Sequence, residues 1–284
     1  MYLHQLPAMD SARISVLLEP FLDAALSPAQ LDQVSTYIDL LLRWNARINL
    51  TAIRDPEQIV PRHFGESLFL ARHLFPIPAK HAPSTPFAPS VKGGNTVTQS
   101  TPETTPARVI DLGSGAGFPA LPIKIWAPEI HLTLIESNHK KAAFLREVVR
   151  SLTLTNVDVI PQRAETVLSR LARSHPEPAP PHTDLPSPCP SDRREESALA
   201  PPQRCVLPPA DVVTFRAVEK FDKTLPLAAS FLAPHGRLAL LVSSAPQSSL
   251  RAIPSLQWRA VHIPQSHSRL LAIGEHRAKW NGSR

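Results

Sequence analysis

The segment of this chain best suited to chemistry reads Asp111-Leu112-Gly113-Ser114-Gly115-Ala116-Gly117-Phe118-Pro119. Glycines at alternate positions let a backbone turn sharply and approach a ligand closely, and a helix starting just after them offers free N–H groups. A nucleotide-like ligand is expected there. Glu136 follows Gly117 by 19 residues and ends the next apolar run. A carboxylate in that place can accept hydrogen bonds from both hydroxyls of a ribose. Nicotinamide and adenosylmethionine sites share these features. A Gly-x-Gly-x-Gly loop beginning two residues after an Asp suits a compact cofactor without a pyrophosphate. The bland alternative is a glycine-rich turn with an exposed Glu.

Further candidates lie downstream. Ala164 and Glu165, after Gln162-Arg163, would lie beside an adenine if they follow a strand of the same sheet. Without that context they read as a helix start, with the acid favourable against the N-terminal dipole. Arg216, in Thr214-Phe215-Arg216-Ala217, can reach a cofactor or an RNA phosphate, or form a structural ion pair. Arg43, Arg47, Arg54, Arg62, Lys140, Lys141 and Arg146 are candidate RNA contacts. Arg54 and Arg62 flank an asparagine-rich turn and are the better placed; a solvated helix face is the alternative for Lys140, Lys141 and Arg146. Cys189 and Cys205 lie in or beside a proline-rich stretch, so neither a disulfide framework nor a zinc site is expected. No catalytic residue and no metal ligand is singled out.

These residues need a scaffold. In 284 residues with 43% hydrophobic content there is room for one full α/β domain and a smaller accessory region. Leu31, Val34, Ile38, Leu41 and Leu42 share one helical face, and Ser27 before Pro28 reads as an N-cap with proline at the first helical position. Ile59, His63, Ser67, Leu68 and Leu70 suggest a second helix. Strands are expected at 108–112, 131–136, 157–160, 211–215, 236–242, 258–263 and 269–274, and helices at 119–126, 138–152, 164–172 and 221–232. Such alternation specifies a mostly parallel sheet with helices on both faces, and two final strands without a helix between them suggest a closing hairpin. The 32 prolines, against 9 glycines, concentrate in two stretches without periodicity. Low apolar content there cannot offset ordering entropy, so both are expected to be flexible insertions. The expected organisation is a helical cap at 1–75, an insertion at 76–106, the first part of the main domain at 107–173, an insertion at 174–209 and the second part at 210–284.

A net charge of +6 favours a polyanionic partner. No apolar run approaches the roughly 18 residues that span a bilayer, and residues 1–10 lack a basic segment followed by an apolar one, so a cytoplasmic protein without membrane contact is expected.

With these residues in view, the chain resembles the bacterial 16S ribosomal RNA guanine-N7 methyltransferases of the RsmG (GidB) family. The resemblance rests on Trp44-Asn45, Ile48-Asn49-Leu50-Thr51-Ala52-Ile53 and Arg62-His63, on the Asp111 loop, and on Ala143-Phe144-Leu145-Arg146-Glu147, Arg163-Ala164-Glu165 and Arg216-Ala217. It implies an α/β fold, a Rossmann-like class I methyltransferase sheet with an N-terminal helical cap. It also implies S-adenosyl-L-methionine as cofactor, held by Gly113, Phe118, Ala164, Glu165 and Arg216 with Glu136 at the ribose. The implied enzyme is a cytoplasmic monomer that methylates one guanine of 16S ribosomal RNA, in the small subunit near the decoding site. Guanine N7 carries an exposed lone pair, so its methylation needs positioning at about 3 to 3.5 Å and no general base. The sequence has no Asn-Pro-Pro-Tyr motif for an exocyclic amine. A nicotinamide-dependent oxidoreductase and a non-catalytic RNA-binding protein are the rival readings.

Overall fold

Ser27 starts the longest helix of the N-terminal cap with a complete capping box: Gln30 N–H donates to Ser27 Oγ at 3.3 Å, and Ser27 N–H donates to Gln30 Oε1 at 2.9 Å. The computed structural model describes residues 9–76, 105–173, 207–216, 221–243, 250 and 253–276. Most of both proline-rich stretches, with Cys189, Cys205 and Ala217, lies outside the described residues. Helix α1 (Ser11–Leu18), absent from the sequence expectation, precedes α2 (Pro28–Asn45). The apolar face of α2 buries Val34, Tyr37, Ile38, Leu40 and Leu41. Asp55 then caps α3 (Pro56–Ile59), which runs through a wider π-type turn, Val60–Gly65, into α4 (Glu66–Leu74). The expected second helix is therefore one helical run with a widened middle. Pro61, which has no N–H to give, sits in that turn, and so do Arg62 and His63.

The main unit is a seven-stranded sheet of order β3-β2-β1-β4-β5-β7-β6. In chain order it runs β1 (Arg108–Leu112), α5 (Ala120–Trp126), β2 (His131–Ile135), α6 (His139–Ser151), β3 (Val157–Ile160), α7 (Ala164–Arg173), β4 (Ala210–Arg216), α8 (Phe221–Ala229), β5 (Leu232–Ser243), β6 (Leu256–His262) and β7 (Arg269–His276). Strands β1 to β5 are parallel, and β7 is antiparallel to both β5 and β6. This is the expected Rossmann-like sheet with its closing hairpin. Strand β5 starts at Leu232 rather than Gly236 because Leu232 pairs with Ala210 across a bulge. The alternation of β1 divides the core: Val109 packs on the cap side, while Ile110 and Leu112 pack on the opposite face. Strand order reverses between β1 and β4, which places a ligand crevice at the carboxyl ends of these strands.

The cap is also tied to the main unit near the opposite end, where the parallel strands begin, through backbone carbonyls. Trp126 Nε1 donates to Phe75 O at 2.9 Å, Gln30 Nε2 to Ile125 O at 2.8 Å and Arg237 Nη2 to Leu74 O at 3.2 Å.

Candidate functional site

The glycine loop leaves β1 and folds back on the end of β2. Gly113 and Ser114 N–H both donate to Ile135 O, at 2.8 and 3.2 Å. Glu136 then knits loop to helix: Oε2 accepts from Gly115 N–H at 2.8 Å and Oε1 from Asn138 N–H at 2.7 Å. Two glycines serve different purposes. At Gly113 (φ +66°) an added Cβ would meet nothing within 4 Å, so the loop presents open space there. At Gly117 (φ +86°) a Cβ would overlap the Tyr37 hydroxyl and the Leu121 side chain, so glycine permits the cap to close on the loop. Beneath the loop, Asp111 is buried, and neither of its carboxylate oxygens has a hydrogen-bond partner among the described residues. Burial, with the charge of Glu136 adding to it, holds the Asp111 carboxyl well above the ordinary carboxylate range.

Phe118 carries the cap. Its ring is stacked between Tyr37 (centroids 5.2 Å apart, planes 3° apart) and His63 (4.8 Å, 24°), with Phe64 edge-on at 5.1 Å. Aromatic pairs of this kind contribute about 0.5–1.5 kcal/mol beyond the area they bury. The Tyr37 hydroxyl donates to Ala116 O in the loop, and burial raises its pKa so that it keeps its proton. On the cap side, Asn45 orders the turn after α2, where its Oδ1 accepts from Leu50 N–H at 2.9 Å. Thr51, in the same turn, places its Oγ1 2.8 Å from His63 Nε2.

These elements enclose a cavity of about 560 Å³. The loop gives Gly113 to Ala116 and Phe118; the cap gives Leu50 to Ile53 with Arg62 and His63; the strand ends give Arg216, Leu241, Ser243 and Arg269; Lys141 closes the set. Glu66 is the buried counter-charge, 2% exposed. Its Oε2 accepts from Arg216 Nη2 at 3.0 Å and Arg269 Nη2 at 2.5 Å, and Arg62 Nε lies 3.7 Å from Oε1. Burial still raises the Glu66 pKa against the pull of the three arginines. His63 is pushed down to about 3 by burial first and then by Arg216, Arg269 and Arg62, so its imidazole is neutral. Burial lowers Arg216 to about 10, which leaves it charged.

The expected site residues thus divide. Gly113, Phe118 and Arg216 line the cavity with Arg62 and Lys141. Glu136, Ala164 and Glu165 stand at the ends of β2 and β3, on the other side of the loop. Arg54 and Lys140 are exposed and do not line the cavity. One nitrogen of Arg216, expected at a cofactor or phosphate, is committed to Glu66 and to Arg62 O at 2.8 Å. Phe118, expected at the cofactor, also bears the cap through its stack. Arg269 had no signal in sequence spacing; its place emerges because β7 runs antiparallel beside β5, with Arg269 opposite Ser243. Among the described residues no group of three His, Cys, Asp or Glu is placed to hold a metal ion, and no helix is long and apolar enough to cross a membrane.

A family model described as rRNA small subunit methyltransferase G matches residues 30–78 and 87–175. The ribosomal RNA small subunit methyltransferase G of Chloroflexus aggregans (strain MD-66 / DSM 9485) is 43% identical over 147 residues, which is 52% of this chain and 50% of that protein. The protein of the same name from Xylella fastidiosa (strain 9a5c) is 37% identical over 172 residues, 59% of this chain and 67% of its own length. The chain spans about half the length of the first of these relatives. Among solved structures, TrmN from Thermus thermophilus aligns with 60% of this chain and 44% of its own, at 17% identity and a TM-score of 0.39.

Proposed function

The chain belongs to the rRNA small subunit methyltransferase G family, and from that premise we propose that it transfers the methyl group of S-adenosylmethionine to N7 of a guanine in 16S ribosomal RNA. The observation that carries this reading is the open side of the Gly113 turn. It faces a cavity whose other walls are the cap and a set of cations suited to a polyanion.

The residues present fit the cofactor. Asp111 offers a buried carboxyl with both oxygens unpartnered, which an ammonium group beside it would draw into the charged form. Each Glu136 oxygen accepts one backbone N–H and, having a second lone pair, can take a ribose hydroxyl as well. Ala164 and Glu165, at the start of α7, would lie beside the adenine. Bound there, the cofactor supplies an electrophilic methyl on a sulfonium.

Guanine N7 attacks with its own lone pair, so the protein's part is to hold two reactants in line and exclude water. His63 is not needed as a base, and its Nε2 is already engaged by Thr51. Arg62 and Lys141 would take phosphates at the mouth of the cavity, with Arg54 and Lys140 farther along the strand. The same reading makes the protein a cytoplasmic monomer acting on the small ribosomal subunit or its RNA.

Labelled methyl transfer to undermethylated small subunits and to their free RNA, followed by mapping of the modified base, tests this. One labelled guanine, blocked at N7, is expected. Label on protein alone, or on another base, would sink the proposal.

A further inference from the structure

The cluster around Glu66 has more donors than it uses. Arg216 Nη1 and Arg269 Nε are buried with no hydrogen-bond partner among the described residues, although both side chains already give an N–H to Glu66. Nearly all buried donors in native proteins find an acceptor. Three guanidiniums gathered on one carboxylate also repel one another in a poorly solvated place, which an added anion would relieve. Both arginines border the cavity, and the half-exposed Arg62 links them to its mouth.

We propose that Arg62, Arg216 and Arg269 form an oxyanion subsite that holds a phosphate of the substrate strand at or next to the reacting nucleotide. This rests on the reading of the chain as an RNA methyltransferase. Guanidinium forks match the oxygens of a phosphate in spacing and direction, and Arg62, Arg216 and Arg269 all line the one cavity. Arg269 thereby becomes a substrate-binding residue contributed by the last strand of the sheet. The cofactor's own carboxylate is the other oxyanion of similar chemistry. The phosphate is favoured because the cations continue outward through Arg62 toward solvent, as a polymer's path requires.

The test uses the full chain and a 16S ribosomal RNA transcript. Arg269→Gln should weaken RNA binding about tenfold and make the slope of log affinity against log salt shallower by about 0.7–0.9, while adenosylmethionine affinity measured by calorimetry stays within about twofold. Arg269→Lys, which keeps the charge, should restore the slope. An unchanged slope in a folded Gln variant overturns the subsite. Cofactor affinity that drops with the slope intact assigns the cluster to the carboxylate and overturns it too. Should the Gln variant fail to fold, wild-type protein decides: RNA should shield Arg269 from phenylglyoxal, read by mass spectrometry, whereas cofactor alone should not. Equal labelling with and without RNA overturns the proposal. Wild-type protein that binds no transcript would instead remove the RNA methyltransferase reading beneath it.

Discussion

Asn45 grips Thr51 by both of its backbone polar groups: Oδ1 accepts the Thr51 N–H at 3.1 Å, and Nδ2 donates to the Thr51 carbonyl at 2.9 Å. The same Oδ1 takes the Leu50 N–H, so one buried side chain fixes the turn that forms a wall of the cavity. Asn45→Ala should leave these groups without their partner and cost about 1–3 kcal/mol. RNA affinity should fall with it while cofactor affinity holds. Urea denaturation and paired binding titrations check this; a wild-type midpoint would show that other contacts hold the turn.

Gly113 and Gly117 should respond differently to substitution. Gly113→Val places a side chain in open space at a left-handed backbone position, so the protein should fold with a loss of about 1–2 kcal/mol and no longer bind adenosylmethionine. Gly117→Ala should be the more destabilising of the two, because its Cβ enters the contact between loop, Tyr37 and Leu121. Calorimetry with adenosylmethionine and thermal melts separate them. Near-normal cofactor affinity in folded Gly113→Val would rule out this use of the loop.

His63 should make stability depend on pH. Its folded pKa of about 3 lies below the unfolded value of 6.5, so the unfolded chain binds the extra proton between these limits. The contribution is therefore full above pH 6.5 and is lost as pH falls toward 3, at up to about 1.4 kcal/mol per unit. Glu66 and Asp111, both raised by burial, act in the opposite sense above the ordinary carboxylate range. The imidazole's share is consequently read as a difference. Wild-type stability should fall more steeply than that of His63→Gln between pH 6.5 and 4.5, and parallel curves would mean that His63 protonates without cost.

Glu66→Gln should be among the most damaging single changes in the cap. It keeps the shape but removes the one carboxylate on which Arg62, Arg216 and Arg269 meet, and unpairing buried charge costs about 3–5 kcal/mol. Guanidinium-chloride unfolding measures this. A loss under about 1 kcal/mol would show that water or the backbone already satisfies the arginines.

Much of this was legible in the sequence because it was local. The capping residue Ser27, the glycines of the loop, the alternation of strands and helices and the closing hairpin each depend on neighbours a few residues apart. Helix α1 escaped because the Asp10 side chain makes no capping bond and the helix stands by packing on α2 and the π-type turn. Arg54 looked well placed by flanking the Asn45–Thr51 turn, yet the turn leaves it exposed outside the cavity. Arg216 was recognisable as a residue at a strand end, but its partner Glu66 lies 150 residues away. The stack of His63 on Phe118 joins two motifs that sequence reading held apart, since nothing in either motif encodes their meeting.

The bond between Arg269 and Glu66 closes a separation of 203 residues, and that has a consequence for synthesis. A growing chain makes Glu66 early and must carry it until β7 emerges and slides between β5 and β6. Before then β6 has no neighbour, β5 ends the sheet, and the cap holds a carboxylate with at most two of its three arginines. Contacts so distant in sequence form slowly. The cavity therefore matures last, and a chain interrupted before Arg269 would retain its glycine loop and its cap while lacking the wall that completes it.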